Sequence, residues 1–179
     1  NVTMLEVWRS MLGWLEKTTG TQNYAITFTI AFVIAMGIPI GLLAFAALFA
    51  KKLNGDSLAE NFAKFGYAII PLDVAGHVAH NLFHLLAEGK AVVYTALAFL
   101  GQTVPDGSPA LVDNATIQLL QFALIVLGAG LSVYTAYRIA RSNYVGGKSW
   151  TSLVPYAGLI VLLGGVNIYF FMLPMAMRM

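Results

Sequence analysis

Cysteine is absent from this sequence, and charged residues are scarce, at 10% of the chain. Without cysteine the chain forms no disulfide, offers no thiolate to a metal ion and binds no iron–sulfur cluster in the usual way. Ordinary soluble domains carry about 25% charged residues, so this composition, with 59% apolar residues, indicates an integral membrane protein surrounded by lipid. The net charge of +2 is small and gives no support to nucleic-acid binding.

The sequence also lacks the motifs of independent enzymes and of secretory signals. It contains no nucleophile placed with a base, no phosphate-binding glycine loop and no hydrolytic pair of side chains. A non-catalytic or electron-transferring subunit is therefore favoured over an independent enzyme. The chain begins at Asn1 without a signal segment, so we expect it to be processed or to be part of a longer chain.

Long apolar stretches predict an all-α integral membrane protein with four transmembrane helices. A hydrocarbon core of roughly 30 Å is crossed by about 20 apolar residues in a helix. Residues 21–179 are predicted to form one four-helix transmembrane domain. Its predicted spans are 24–50, 58–87, 115–140 and 151–174.

Two shorter segments do not meet the length needed for a span. Residues 1–20 contain an amphipathic pattern and are predicted to form an N-terminal interfacial helix, or a helix that packs on a partner subunit. Residues 91–100 are apolar, but they are too few to cross the bilayer. We predict a short interfacial or re-entrant helix there, between spans 2 and 3.

Local signals fix where the second and third spans begin. Ser57 with Glu60 forms a capping box, and Asp113 or Asn114 is placed to cap the third span. Pro71 removes one backbone hydrogen bond and is predicted to bend the second span.

The distribution of basic residues predicts the orientation. Four spans place loops 51–57 and 142–150 on one side of the membrane and both termini on the other. The loop side carries Lys51, Lys52, Lys64, Arg138, Arg141 and Lys148. The positive-inside rule makes that side cytoplasmic, so the N- and C-termini are predicted on the outer side.

All three histidines lie within the second predicted span. Asp73, His77, His80 and His84 follow one another at steps of four, three and four, which place them on one stripe of a helix. Ionisable side chains within a bilayer are costly and mark functional sites by default. We therefore predict that a bound species or a partner subunit meets this stripe, in the outer half of the membrane.

One interpretation of the stripe is a metal site. Imidazole is the commonest biological metal ligand, and residues at i and i+4 can direct two donors at one ion. The rise from His77 to His84 is about 10 Å, so one compact ion cannot collect every histidine. Copper suits imidazole and thioether ligands. The predicted ligands are Asp73, His77, His80 and His84, with the methionines Met172, Met175 and Met177 as soft ligands.

A second interpretation is a haem b or quinone site with His77, His80, His84 and Asn81 as the cofactor-binding residues. The other spans contain no histidine, so the second axial ligand of a haem would be a methionine or belong to a partner. Asp and His side chains in a bilayer also build proton relays and bind quinone carbonyls. Four tyrosines could line such a pocket: Tyr67, Tyr94, Tyr134 and Tyr169. In a third interpretation the imidazoles only form hydrogen bonds to neighbouring helices or to a partner, and the chain is a cofactor-free anchoring subunit of a larger membrane complex.

The stretch Phe62-Ala-Lys-Phe-Gly-Tyr-Ala-Ile-Ile-Pro-Leu, followed by His80-Asn-Leu-Phe-His84, resembles the C-terminal membrane half of bacterial polyferredoxin-type membrane proteins. These are similar to the membrane ferredoxins of periplasmic nitrate and nitrous-oxide reduction. The resemblance extends in outline over most of the chain, from a Trp-containing opening that ends in Thr-Gly-Thr to a closing Pro-Met-x-Met-Arg.

The resemblance implies a membrane subunit of a respiratory electron-transfer complex in the bacterial inner membrane. Its expected partners are other membrane or periplasmic subunits. Family members pass electrons between the quinone pool and periplasmic carriers through cysteine-bound clusters. This chain has no cysteine, so the cluster part lies upstream, or on a separate subunit, or the likeness is to a shared membrane anchor. Only His80 and His84 match the pattern, and no ligand assignment comes with them.

Overall fold

The computed structural model describes residues 6–104 and 107–173, which form helices and connecting turns without a strand. The α-helices are α1 (Glu6–Thr19), α2 (Tyr24–Asn54), α3 (Leu58–Phe65), α4 (Ile70–Phe99), α5 (Asn114–Asn143) and α6 (Gly147–Met172). A short 3-10 helix, Gly66–Ile69, joins α3 to α4.

Four helical runs are long and apolar enough to cross a membrane, which confirms the predicted all-α multi-pass protein. They are Tyr24–Asn54, Leu58–Phe99, Asn114–Asn143 and Gly147–Met172. The four runs pack side by side: α5 lies between α4 and α6, and α2 packs on α6. The core between them includes the stacked rings of Phe65 and Tyr156, whose centroids are 4.1 Å apart.

The predicted short helix at 91–100 is wrong, because α4 continues without a break to Phe99. The charged triplet around Gly89 suggested an end, but one glycine costs a helix only about 1 kcal/mol. The connection after α4 packs against the helix beside Gly89, since Leu111 N–H donates a hydrogen bond to Leu86 O at 2.7 Å. The run Leu58–Phe99 has 42 residues, so it is about 63 Å long and extends beyond a single hydrocarbon core.

Pro71, which is predicted to bend the second span, lies in the first turn of α4, directly after a 3-10 helix that breaks the run between α3 and α4. Proline has no N–H with which to bond the carbonyl of Tyr67. The tighter turn supplies another donor, because Ile70 N–H bonds Tyr67 O. The free N–H of Leu72, in the first turn of α4, donates to Ser132 Oγ of α5 at 2.9 Å. The N–H group left free at this break thus bonds α4 to α5.

The predicted helix caps are confirmed. Ser57 Oγ accepts from Glu60 N–H at 3.2 Å, and Glu60 Oε2 accepts in return from Ser57 N–H at 2.8 Å. Asp113 Oδ2 accepts from Thr116 N–H at 3.0 Å at the start of α5. These caps satisfy N–H groups that a helix leaves free in its first turn.

Helix α1 covers part of α2. Trp8 and Leu15 are buried together with Ala31 of α2, and the Trp8 ring meets that of Phe28 edge-on at 5.6 Å. The apolar side of the amphipathic pattern is therefore packed on α2. Its position at the membrane interface stays a prediction.

Candidate functional site

The four residues of the predicted stripe lie on one exposed side of α4. The side chains of Asp73, His77 and His84 are 69%, 76% and 51% exposed, and His80 is also exposed. The structure therefore brings these residues into a line, as their spacing predicts. The line faces away from the other helices of this chain.

Contacts along the line join acids to imidazoles. Asp73 Oδ1 lies 3.8 Å from His77 Nε2, and the rings of His80 and His84 meet edge-on with centroids 5.0 Å apart. Glu88 extends the line, since its Oε2 lies 3.6 Å from His84 Nδ1. We call these five residues the α4 stripe. Sequence reasoning missed Glu88 because it was assigned to the end of the span, although it continues the step of four.

The opposite side of α4 is packed closely on α5, which explains why the stripe faces outward. A Cβ added to Gly128 would overlap the Cβ of Ala75 and lie 3.0 Å from the carbonyl oxygen of Pro71. Ala79 is fully buried, and its carbonyl accepts from Gln121 Nε2 at 3.1 Å. Small residues permit such a close approach of two helices. The polar side chains of α5 are thus directed at the backbone of α4 and leave the stripe uncovered.

The predicted metal ligands do not converge on one point within this chain. Among the described residues, no group of three His, Cys, Asp or Glu side chains is placed to hold a metal ion. His80 and His84 are the two imidazoles whose rings meet. Met172, at the end of α6, is 63% exposed, whereas Met175 and Met177 lie outside the described residues.

The remaining predicted cofactor-binding residue, Asn81, bonds its own helix. Its Nδ2 donates to His77 O at 2.8 Å. Of the four tyrosines, Tyr67, Tyr134 and Tyr169 are exposed and Tyr94 is half-buried. The Tyr134 hydroxyl accepts from Arg138, one turn further along α5, at 3.1 Å. No described hydrogen bond joins these tyrosines to the α4 stripe.

A second polar cluster, which sequence reasoning missed, lies where the α2–α3 and α5–α6 connections meet. We call Asn54, Asp56, Asn61, Lys64 and Tyr144 the Asp56 cluster. The Tyr144 hydroxyl donates to Asp56 Oδ2 at 2.6 Å and accepts from Asn54 Nδ2 at 3.1 Å. Asn54 Nδ2 also donates to Asn61 Oδ1 at 2.8 Å. Tyr144 is far in sequence from the other four residues, so no spacing rule reveals this cluster.

Charge and burial shift two pKa values in the Asp56 cluster. The hydrogen bonds donated by Lys64, and then by Tyr144, hold the pKa of Asp56 below its usual value. Burial, followed by the hydrogen bond to Asp56, raises the pKa of Tyr144 above its usual value. The five side chains bond one another, so the cluster joins two connections instead of offering free ligands.

No family model, curated protein or solved structure matches this chain. Fold and site together define its class: an all-α, multi-pass membrane protein with a titratable stripe on the exposed side of one spanning helix.

Proposed function

We propose that this protein is a membrane subunit of a respiratory electron-transfer complex. Its α4 presents His77, His80 and His84, with Asn81, to a haem, a metal ion or a quinone near the outer membrane face. The observation that supports this proposal is the outward direction of the α4 stripe in a helix apolar enough to span the bilayer.

The free energy of burial explains why a bound species is needed. Placing one ionised Asp at the centre of a spanning helix costs about 2.5–3.5 kcal/mol on insertion scales. The stripe contains two carboxylates and three imidazoles, and the helices of this chain leave them exposed. A cofactor or a partner subunit on this face removes the cost by supplying charges and hydrogen bonds.

The proposed setting is the bacterial inner membrane, with the N- and C-termini on the periplasmic side. Basic residues at the α2–α3 and α5–α6 ends support this orientation. The resemblance to polyferredoxin-type membrane proteins supports partners among membrane or periplasmic subunits. Any iron–sulfur cluster in the complex would be bound by another part of the complex, since this chain has no cysteine.

The test uses the full chain purified from native membranes with its partners in a mild detergent. An optical spectrum detects haem, elemental analysis detects metal, and solvent extraction detects quinone. We expect one of these species to be present and to be lost when all three histidines are replaced by Gln. Val126→Ala on α5, at a position that is 61% exposed, is the matched control and should retain it.

The proposal is wrong if the wild-type complex contains none of the three species and the Gln variant assembles with unchanged electron transfer. That result would identify an anchoring subunit without a cofactor. In that case the stripe only bonds a partner helix.

A copper-binding protein or conduit is the second candidate, and the meeting of the His80 and His84 rings favours it. Imidazole and thioether ligands both suit copper. Copper measured per chain should fall to the background value in His80→Ala and in His84→Ala. Retention of copper in both variants contradicts this candidate.

A further inference from the structure

We propose that two copies of this chain pair through their α4 stripes and that His80 and His84 of each copy together bind one divalent transition-metal ion. This inference rests on the proposed function, because it names the metal and the partner at the same site. One chain supplies two of the imidazoles, and the second copy completes a four-coordinate site.

The spacing of the stripe is that of a helix-pairing seam. Steps of four, three and four from Asp73 to His84 correspond to successive d and a positions of a heptad repeat. Such residues stay on the line of contact of two helices over several turns. The packed residue Ala79 falls outside these positions, so contact with α5 leaves the seam free.

The membrane determines how two copies meet. Copies inserted with the same topology are related by an axis along the membrane normal, so their α4 helices run parallel. In a parallel pair with closed two-fold symmetry, each residue at these d and a positions faces the same residue of the second copy. His80 and His84 are one turn apart, and their four imidazoles therefore come from two adjacent layers of the seam.

The nitrogen atom that each carboxylate approaches indicates which histidines act as ligands. Glu88 Oε2 lies 3.6 Å from Nδ1 of His84, so Nε2 of that ring remains for the metal ion. Asp73 instead lies 3.8 Å from Nε2 of His77, the nitrogen that projects furthest from the helix. A carboxylate that orients a ligating imidazole is the usual arrangement at metal sites. Glu88 is accordingly a positioning residue for His84.

Charge balance favours a divalent cation at this site. Two neutral imidazoles from each copy add no charge, whereas the pair of Glu88 carboxylates offsets the charge of one divalent ion. An exposed apolar residue, Val74, follows Asp73 and would pack beside the seam in the pair. Its side chain is 53% exposed.

The first experiment titrates the full chain in lipid nanodiscs with Zn²⁺, and with Co²⁺ as an optical probe of nitrogen coordination. We expect one ion per two chains. His80→Ala and His84→Ala should each weaken binding by more than 100-fold. Glu88→Gln should weaken it about 10–100-fold and leave the number of ions unchanged. Val78→Ala is the matched control on the same helix and should bind like the wild type.

The second experiment uses the absence of cysteine. His77→Cys places a thiol in the seam, whereas Val78→Cys places one beside it on the same turn. Under mild oxidation in native membranes, we expect a disulfide dimer of the His77→Cys chain and a monomer of the Val78→Cys chain. This readout needs no metal, so it tests the pairing by itself.

The proposal is overturned if the wild type binds no ion, if it binds one ion per single chain, or if His77→Cys does not cross-link. Loss of a haem or quinone from the three-Gln variant of a protein with unpaired α4 helices would overturn the pairing but support the proposed function. A paired, metal-bound protein without any electron-transfer partner would support the pairing but contradict the proposed function.

Discussion

At the residue scale, the Asp56 cluster shows how side chains distant in sequence fasten two connections of a membrane protein. Tyr144 follows α5, and its hydroxyl bonds Asp56, which precedes α3. Lys64 of α3 forms an ion pair with the same carboxylate. Because both donors favour the ionised carboxylate, the pKa of Asp56 is lower in the folded protein than that of an ordinary aspartate.

The lowered pKa predicts acid sensitivity. A carboxyl with a depressed pKa in the folded state contributes stability above its unfolded pKa, and this is lost as the pH falls through the folded pKa. We expect the apparent melting temperature in detergent to fall below about pH 4, with a shallower fall in Asp56→Asn. Differential scanning fluorimetry at a series of pH values measures both slopes. Equal slopes in the two proteins would contradict this role of Asp56.

At the element scale, the contact of α4 with α5 decides which side of α4 remains exposed. Gly128 of α5 fits against Ala75 and the backbone of Pro71 and Leu72, where a Cβ would lie 3.1 Å from the Leu72 Cα. The backbone cannot move aside without disturbing the hydrogen bond from Leu72 N–H to Ser132.

Gly128→Ala should therefore destabilise the protein by about 1–3 kcal/mol, although alanine is the better helix former. Gly130→Ala is the matched control, because an added Cβ at Gly130 has nothing within 4 Å. We expect that control to be neutral or slightly stabilising. Thermal unfolding of both variants in the same detergent distinguishes them, and equal effects would show that helix propensity, not packing, dominates here.

At the scale of the whole molecule, four spans would place the 100–113 connection on the same side of the membrane as the start of α2 and the end of α6. The Asp56 cluster would then lie on the other side, with the basic residues that predict a cytoplasmic location. This arrangement sets where the α4 stripe lies along the membrane normal, since His84 is near the 100–113 connection while Asp73 is at the level of Ser132, nearer the middle of α5.

The orientation is testable in the cysteine-free chain. Ser108→Cys should react with a membrane-impermeant maleimide in cells whose outer membrane has been permeabilised. Asn143→Cys, at the opposite end of α5, should react only after the inner membrane is disrupted. Labelling in the reverse order would invert the proposed orientation and place the stripe towards the cytoplasm.

The sequence by itself determined the local features of this protein. Apolar length defined the four spans, proline chemistry defined the break at Pro71, and the spacing of Asp73 to His84 defined a single line on a helix. Each depends on residues within a few turns of one another, so no knowledge of neighbouring helices was needed. The exception is the end of the second span and the short helix predicted after it, because the triplet around Gly89 does not stop α4.

Tertiary structure decided which way that line faces and what lies beside it. The stripe points outward because small residues on the other side of α4 allow α5 to approach, and this choice depends on Gly128 and Ser132 from a separate helix. The Asp56 cluster likewise exists only because two connections meet. Residue spacing specifies which side chains share a face, whereas packing between helices decides whether that face is buried or left for another molecule.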